Sequence, residues 1–465
     1  MTATSISRTK RDGKGAYMER TAMTKLIAWK DAPGRKPLVV NGARQVGKTW
    51  LVTEFGGQYF DSVAHVVFLE NDQAKAIFSR SLDPKTVLML IGALTGTNPL
   101  DGKTLVFLDE IQECPRAITA LKLFAEQTPD IPVVAAGSLL GVAHNRADGD
   151  SDGISASWPV GKVSFLDLYP MTFEEFLLAG GHGQLVKLLE TGDPETPDTL
   201  SEQLKGLLRE YLFIGGMPEV VREYTRTRSL VEARRIQMEL LRGYELDFSK
   251  HVESALATER IRETWRSVPA QLANENNLKR FTYSSIRAGA RGRDYRDAVS
   301  WLADAGLVIK VSKVSKPSIP LEGYADGTYF KLYLLDIGLL GAALHLDATV
   351  LLNGNRLFTE YKGAYAEQFV CQHLLATSGR SPYYWSADGK DEKGEVDFVI
   401  EQQGVVLPIE VKAEGNVAGG SIARFCKRFG LDRAVRLSLF GYKDQGWLVN
   451  VPLYSVARVL SEDKR

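Results

Sequence analysis

Short apolar runs bounded by turns alternate with stretches of helical spacing from about Leu26 to Leu178. Four of these runs, at residues 37–40, 66–69, 105–108 and 133–136, read as buried strands. Uniformly apolar runs of that length, separated by amphipathic segments, are the rhythm of a parallel sheet with crossover helices. The sheet core is therefore expected over residues 25–180. Residues 181–258 carry a long helical pattern, broken by a polar turn at 191–199 and by Gly215-Gly216-Met217-Pro218, and predict a helical lid. Helices over 261–274, 284–290 and 295–305, followed by Gly306 and an alternating strand over 307–314, have the order of a winged helix at 259–345. The last unit, 346–465, predicts a helix at 361–375 and strands at 396–400 and 405–411. Residues 1–24 are polar and predict a mobile tail.

Composition agrees with that division. A chain of 465 residues is too long for one ordinary core and suggests about three units. Its 44% apolar and 25% charged residues exclude wholesale disorder and fibrous architectures. A formal net charge of zero excludes a globally basic nucleic-acid binder but not a local patch. Such a patch lies between Lys279 and Lys316, where nine Lys/Arg stand against three Asp. On a winged helix it would meet DNA phosphates, with Arg291, Arg293 and Arg296 near the start of the recognition helix. The alternative is that these charges are solvated, or pair with the acidic loop at 141–159.

That loop begins Asp148-Gly-Asp150-Ser-Asp152-Gly like a calcium loop, but its twelfth position is Pro159 where a bidentate Glu is required, so calcium is discarded. Cys114, Cys371 and Cys426 are far apart with no CxxC pair, which excludes a disulfide framework or a zinc site. No apolar run is long enough to span a bilayer, and no secretory signal is evident, so no membrane association and a cytoplasmic location are expected.

Gly42-Ala43-Arg44-Gln45-Val46-Gly47-Lys48-Thr49 satisfies GxxxxGK[ST] between an expected buried strand and an amphipathic helix. The glycines let the backbone curl so that its N–H groups point at phosphates, and the helix N-terminus adds a favourable dipole. Lys48 is expected on the β- and γ-phosphates of ATP, and Thr49 on Mg²⁺. The strand 104–108 delivers Asp109 and Glu110 only at its C-terminal end, so Asp109 would hold the magnesium and Glu110 would orient and deprotonate the attacking water. Ser138, after strand 133–136, takes the position that senses the γ-phosphate. Arg146 and Arg222, and less so Lys162, are candidates for a completing cation.

In the last unit, Asp397 leads into an apolar strand, and a second strand after Gly404 delivers Glu410 and Lys412 on one face. This is the D…ExK pattern of PD-(D/E)XK nucleases. Asp397 and Glu410 would hold Mg²⁺, Lys412 would activate water, and Glu367 on the preceding helix would add a carboxylate.

Taken together, Asn41 to Thr49, Phe107-Leu-Asp-Glu-Ile-Gln112, Ala136-Gly-Ser138, Tyr169-Pro-Met-Thr-Phe-Glu-Glu-Phe176, Gly215-Gly-Met-Pro218 and Pro408-Ile-Glu-Val-Lys412 resemble a family of bacterial and archaeal AAA-like P-loop ATPases joined to a C-terminal domain of unknown function. The resemblance covers nearly everything after the tail. It implies an α/β fold: an AAA-like P-loop NTPase core, helical lid, winged helix and restriction-endonuclease-like C-terminal domain. It also implies that Gly216 to Pro218 lie near the adenine.

Two functions follow as expectations. One is an ATPase coupling nucleotide state to DNA-directed modules, with nuclease activity in the last. The other is an ATP-dependent signalling or assembly switch whose C-terminal domain only binds a partner. A small-molecule kinase lacks any acceptor segment, and self-association is left open.

Overall fold

The computed structural model describes residues 18–138, 158–190, 193–250, 252, 254–274, 280–348, 363–387, 394–412 and 420–460. Strands β1 (Leu38–Asn41), β2 (Ser62–Val67), β3 (Thr104–Asp109), β4 (Val133–Gly137) and β5 (Ser164–Asp167) form a parallel sheet in the order β2-β3-β4-β1-β5. Alternate residues of each inner strand serve opposite cores. Leu105 and Phe107 face one, Val106 and Leu108 the other, all with essentially no exposure.

Crossover helices cover both faces: α1 (Ala22–Asp31), α2 (Lys48–Tyr59), α3 (Asp72–Arg80), α4 (Pro84–Thr95) and α5 (Pro115–Gln127). Their ends are written locally. In α4, Asp83 accepts from the Thr86 N–H, Pro84 opens the first turn and Gly96 closes the last at φ +68°.

Several expectations shift here. Strand β2 starts at Ser62 rather than at 66, because the apolar run continues past the strand end to an exposed Leu69. Strand β5 gave no buried-run signal, since it is an edge strand with Phe165 exposed. The expected tail ends early: Met18 and Arg20 are buried and α1 already starts at Ala22. The acidic loop lies outside the described residues save for its end.

Six helices follow: α6 (Phe173–Ala179), α7 (Gly183–Glu190), α8 (Ser201–Ile214), α9 (Pro218–Thr227), α10 (Leu230–Asp247) and α11 (Ala255–Ala273). No second helix forms at 284–290. Tyr283–Ser285 make a single 3-10 turn, and Gly289 at φ +79° turns the chain out of helical geometry before α12 (Gly292–Asp304). The hairpin of β6 (Val308–Val314) and β7 (Ala325–Leu334) leads to α13 (Ile337–Ala343) and α14 (Ala364–Ser378).

Strands β8 (Tyr383–Ser386), β9 (Glu395–Gln402) and β10 (Val405–Lys412) form a meander. After α15 (Gly420–Phe429), β11 (Ala434–Ser438) joins parallel to β10, then β12 (Lys443–Asp444) and β13 (Leu448–Pro452) complete the edge. The hairpin does not stand apart from this sheet. Lys313 pairs with Tyr384, giving eight strands in the order β12-β13-β11-β10-β9-β8-β6-β7. One apolar core then runs from Leu38 through Tyr211 and Leu334 to Val456 without a seam.

Helix α14 ties the two halves together through buried polar side chains. Gln368 accepts from the Leu334 N–H and donates to its carbonyl (2.9 and 2.7 Å). Gln372 accepts from the Ile337 N–H (2.9 Å) and donates to the Tyr211 hydroxyl (2.8 Å). His373 Nε2 accepts from the Phe173 N–H (2.8 Å), which fixes the proton on Nδ1, where it faces the Phe369 carbonyl (3.0 Å).

Protonated His373 would set two N–H groups against each other, and burial pulls its pKa down to about 4. Because the unfolded chain then binds the extra proton first, the stability His373 contributes is present above pH ~6.5 and lost as pH falls toward ~4. Glu174 Oε2 lies 4.0 Å from Nε2 and titrates in the opposite sense, its carboxyl pushed up by burial. The informative quantity is therefore the stability difference between the unmodified chain and His373→Gln. Urea unfolding is expected to show that difference shrinking by up to about 3 kcal/mol between those pH values. A difference independent of pH would contradict the neutral, accepting imidazole.

Candidate nucleotide cleft and C-terminal acidic cluster

The GxxxxGK[ST] segment leaves β1 and enters α2 through three left-handed or glycine-only conformations: Gly42 at φ +151°, Gln45 at +66° and Gly47 at +94°. A Cβ on Gly42 would sit 2.3 Å from the Leu168 carbonyl oxygen, so only glycine fits. Lys48 Nζ donates to the carbonyls of Gly42 and Ala43 (2.8 Å each). Burial pulls its pKa down to about 8, against the opposing pull of the Glu110 and Asp109 carboxylates.

Strand β4 lies between β1 and β3, so the ends of all three strands open on one crevice. There Thr49 Oγ1 donates to Asp109 Oδ2 (2.9 Å). Glu110 follows at φ +51°, a costly conformation for a residue with a Cβ, and its carboxylate accepts from Gln112 Nε2. Ser138 is buried at the end of β4, where its Oγ meets Arg44 Nε at 3.2 Å.

Residues from outside the motifs frame this crevice. Arg44 reaches from the loop to Asp247 at the end of α10, and the Tyr244 hydroxyl donates to the Arg44 carbonyl (2.8 Å). Arg20 is almost fully buried and donates to the carbonyls of Val46 (2.9 Å) and Tyr169 (2.6 Å) while its Nε pairs with Glu175 (3.1 Å). Glu175 also completes the capping box of α6 with Thr172, so the Tyr169–Phe176 motif anchors the phosphate loop as well as starting a helix. His65 stacks on Phe107 and brings Nε2 to 3.2 Å from Asp109 Oδ2.

The Gly215–Pro218 turn closes another side. Gly216 donates to buried Asp336 Oδ2 (2.6 Å) and accepts from the Met171 N–H (2.7 Å). The Pro218 ring lies 3.5 Å from where a Cβ of Gly47 would be. Burial pushes the Asp336 carboxyl up to about 6, against backbone donors led by Gly216.

A Cβ on Gly216 would fall 2.0 Å from the Met171 oxygen, which neither backbone can yield. Gly216→Ala is expected to cost about 3 kcal/mol in denaturant unfolding. Gly243→Ala, in open space on α10, is expected to stabilise by up to about 1 kcal/mol. Equal, small effects at both positions would show that the turn is not clamped. A cavity of about 290 Å³ opens on the other side of the glycine-bent loop, walled by Gly42, Ala43, Tyr169, Gly306 and His373. None of Lys48, Thr49, Asp109 and Glu110 lines it, so it is distinct from the strand-end crevice.

In the second half, Glu367, Asp397, Glu410 and Lys412 occupy α14, β9 and β10 as expected, but cations of the chain itself hold the carboxylates. Lys331, buried on β7, pairs with Glu367 (3.2 Å) and Glu395 (2.7 Å), and the Tyr333 hydroxyl donates to Glu367 (2.7 Å). Burial pulls the Lys331 ammonium down, but the charges of Glu367, Glu395 and Asp397 outweigh it and hold its pKa above the ordinary lysine value. Asp397 accepts from the Val411 N–H (2.7 Å), and its carboxyl is pushed up to about 8 by burial and by Glu367.

Glu410 pairs with buried Arg436 (3.2 Å) on the neighbouring strand and with Lys412 (3.4 Å). Among the described residues no group of three or more His, Cys, Asp or Glu is arranged to hold a metal ion. Of the other expected cations, Lys162 pairs with Glu126 (2.9 Å), Arg222 is exposed on α9, and Arg146 lies outside the described residues.

Residues 34–177 match a family model described as an AAA domain. Residues 205–350 and 362–454 match two domains of unknown function, DUF8612 and DUF4143. No curated protein matches the chain. Solved structures similar to it include the Walker-type ATPase PABY2304 of Pyrococcus abyssi, at 13% identity over 70% of this chain and 96% of that one, with a TM-score of 0.42. The Aeropyrum pernix ORC1 protein in complex with DNA is 14% identical over 72% and 94%, with a TM-score of 0.24. Protein VC1899 from Vibrio cholerae is 12% identical over 91% and 96%, with a TM-score of 0.18.

The AAA-domain match, the strand order and the glycine-bent loop define the class of the first unit: residues 34–177 have an AAA-like P-loop ATPase fold. Among the described residues no helix is long and apolar enough to cross a membrane.

Proposed function

We propose that this chain binds ATP with Mg²⁺ at residues 42–49 and hydrolyses it, and that nucleotide state is passed through the Gly215–Pro218 turn to a DNA-contacting second half. The observation that carries the reading is the 2.9 Å contact between Thr49 and Asp109, which joins a phosphate-type loop to a strand-end carboxylate. Backbone N–H groups of Gly42, Ala43, Arg44, Gln45, Val46 and Gly47 suit a polyphosphate, with Lys48 as its cation. Thr49 Oγ1 and Asp109 suit a hard divalent ion, which would neutralise charge on the phosphoryl oxygens. Glu110 is assigned to orient and deprotonate water, and Ser138 to sense the terminal phosphate through its contact with Arg44.

The basic segment 280–316 is assigned to DNA as a winged-helix-like module in which a turn replaces the middle helix. The order α14, β8-β9-β10, α15, β11 supports a PD-(D/E)XK-like scaffold for the last unit. Binding is preferred to cleavage there, because Lys331, Arg436 and Lys412 already neutralise Glu367 and Glu410.

ATP turnover by the full chain, with and without duplex and single-stranded DNA at two salt concentrations, tests the whole. Stimulation that falls steeply with salt supports it. Turnover indifferent to DNA, together with ATP-dependent self-assembly, would favour the signalling switch. Magnesium-dependent cutting of plasmid or single-stranded DNA, abolished by Lys412→Ala, would restore the nuclease.

A further inference from the structure

The 3-10 turn at Tyr283, the first turns of α12 and the β6–β7 hairpin enclose an open pocket of about 690 Å³. That is within the size range of small-ligand sites. Its floor is aromatic. The rings of Phe281 and Phe330 stack with centroids 5.6 Å apart, and Tyr283 meets both edge-on. Phe281 and Phe330 are buried, whereas Tyr329 is 37% exposed and Tyr283 is half-buried.

The rim is cationic. The Arg280 guanidinium lies 4.9 Å from the Tyr329 ring centre, Lys310 Nζ lies 4.8 Å from that of Phe330, and Arg296 comes from α12. No Asp or Glu lines the pocket among the described residues. A purely structural basic cluster would be expected to find carboxylates, as Arg287 does with Glu263 and Arg266 with Glu245. Arg280, Arg296 and Lys310 instead share one opening with rings and hydroxyls.

Exposed rings beside unneutralised cations fit a flat aromatic base with its phosphate, because every base offers a π-face and every nucleotide an anion. Bases of a duplex are stacked and hidden, so such a pocket selects an unpaired one. Exposed Arg291, just before the same helix, and exposed Arg293 in its first turn, 3.9 Å from Asp294, add further cations near the pocket, which suits further phosphates of a strand better than a free nucleotide.

We propose that the pocket between Tyr283, Arg296 and Tyr329 takes an unpaired nucleotide of a nucleic-acid strand. This rests on the DNA-directed reading above and narrows it to single-stranded segments.

The test is fluorescence anisotropy of the full chain with labelled oligothymidylate and with a blunt duplex of equal length. The unmodified chain is expected to prefer the single strand. Tyr329→Ala is expected to weaken that binding about tenfold, from the loss of one stacking surface. Arg280→Gln and Arg296→Gln are each expected to lower the slope of log affinity against log salt by about 0.7. All three positions are surface-accessible and remote from Lys48 and Asp109, so ATP turnover without nucleic acid should be unchanged and reports folding.

Single-strand binding untouched by these variants would overturn the pocket assignment while leaving DNA contact standing. Competition by free dTMP as strong as by oligothymidylate would assign the pocket to a free nucleotide and overturn the strand. Absence of binding to either nucleic acid by the unmodified chain would remove the DNA-directed reading itself.

Discussion

Lys48→Ala protein is expected to lose at least about thirtyfold in ATP affinity by calorimetry, while Glu110→Gln keeps that affinity and loses turnover by about 10²–10⁴-fold. The two variants separate binding from chemistry. Lys48 is the one side-chain cation of the phosphate loop's helix end, nine-tenths buried beside two carboxylates. Removing one partner of a buried charge contact costs about 2–5 kcal/mol, and each 1.4 kcal/mol is about tenfold in affinity. Lys48 also holds the carbonyls of Gly42 and Ala43, so the thermal midpoint of the apo variant should be measured alongside.

Glu110 sits one residue beyond the Thr49–Asp109 contact, held by Gln112 rather than by Lys48, so an amide there leaves the phosphate cradle intact. General-base catalysis contributes about the factor quoted. Unchanged turnover in Glu110→Gln would move the base elsewhere, with His65 the next group to examine because it already touches Asp109.

Lys331→Met is expected to destabilise the folded chain by about 3–5 kcal/mol, the cost of leaving buried charge without its partner. Glu367 and Glu395 would remain with Tyr333 as the nearest donor, and Asp397, already pushed up to about 8 by burial and Glu367, would lose its compensating cation. Raising pH should worsen the variant more than the unmodified chain. The carboxyls take up protons in the unpaired cluster, and that protonated state is lost as pH rises. Urea unfolding at pH 6 and pH 8.5 reads the effect. A variant as stable as its parent would mean that the pairs contribute nothing, and that the acidic residues are free to take an external cation.

The parts legible in the sequence were contiguous. GxxxxGK[ST] between a strand and a helix, and four apolar residues ending in Asp109-Glu110, carry their geometry within a dozen positions, because backbone torsions and strand alternation set it locally. The groups that frame the site were not legible for the opposite reason. Arg20, Asp247 and Asp336 each arrive singly from distant segments, and one Arg or Asp at the edge of a helical pattern has no period to reveal it.

Lys331 is the sharpest case. Lys331 stands between apolar Phe330 and Leu332 in the sequence like a solvent-facing strand residue, and only the fold shows that it is buried and that Glu367 and Glu395 meet it. The D…ExK pattern was legible as strands and helix, but the sequence could not show that Arg436 pairs Glu410 across a parallel ladder. The wing misleads in another way: the strand at 307–314 reads as part of a free wing until Tyr384 is seen to extend its sheet, and its partner β7 is not read as a strand at all.

One strand thereby touches two chemistries. Lys331 and Tyr333 near the end of β7 grip the C-terminal carboxylates, and Asp336, a few residues on, grips the turn that rests against Gly47. The strand's pairing ends at Leu334, opposite Val308, and a bend at Leu335 carries the chain to Asp336 at the start of α13, so both grips lie within one short segment. A displacement at the glycine turn has little slack in which to dissipate. A single short segment thus ties the acidic cluster of the second half to the turn beside the glycine-bent loop, so a substitution at Lys331 or at Asp336 is expected to be felt at both.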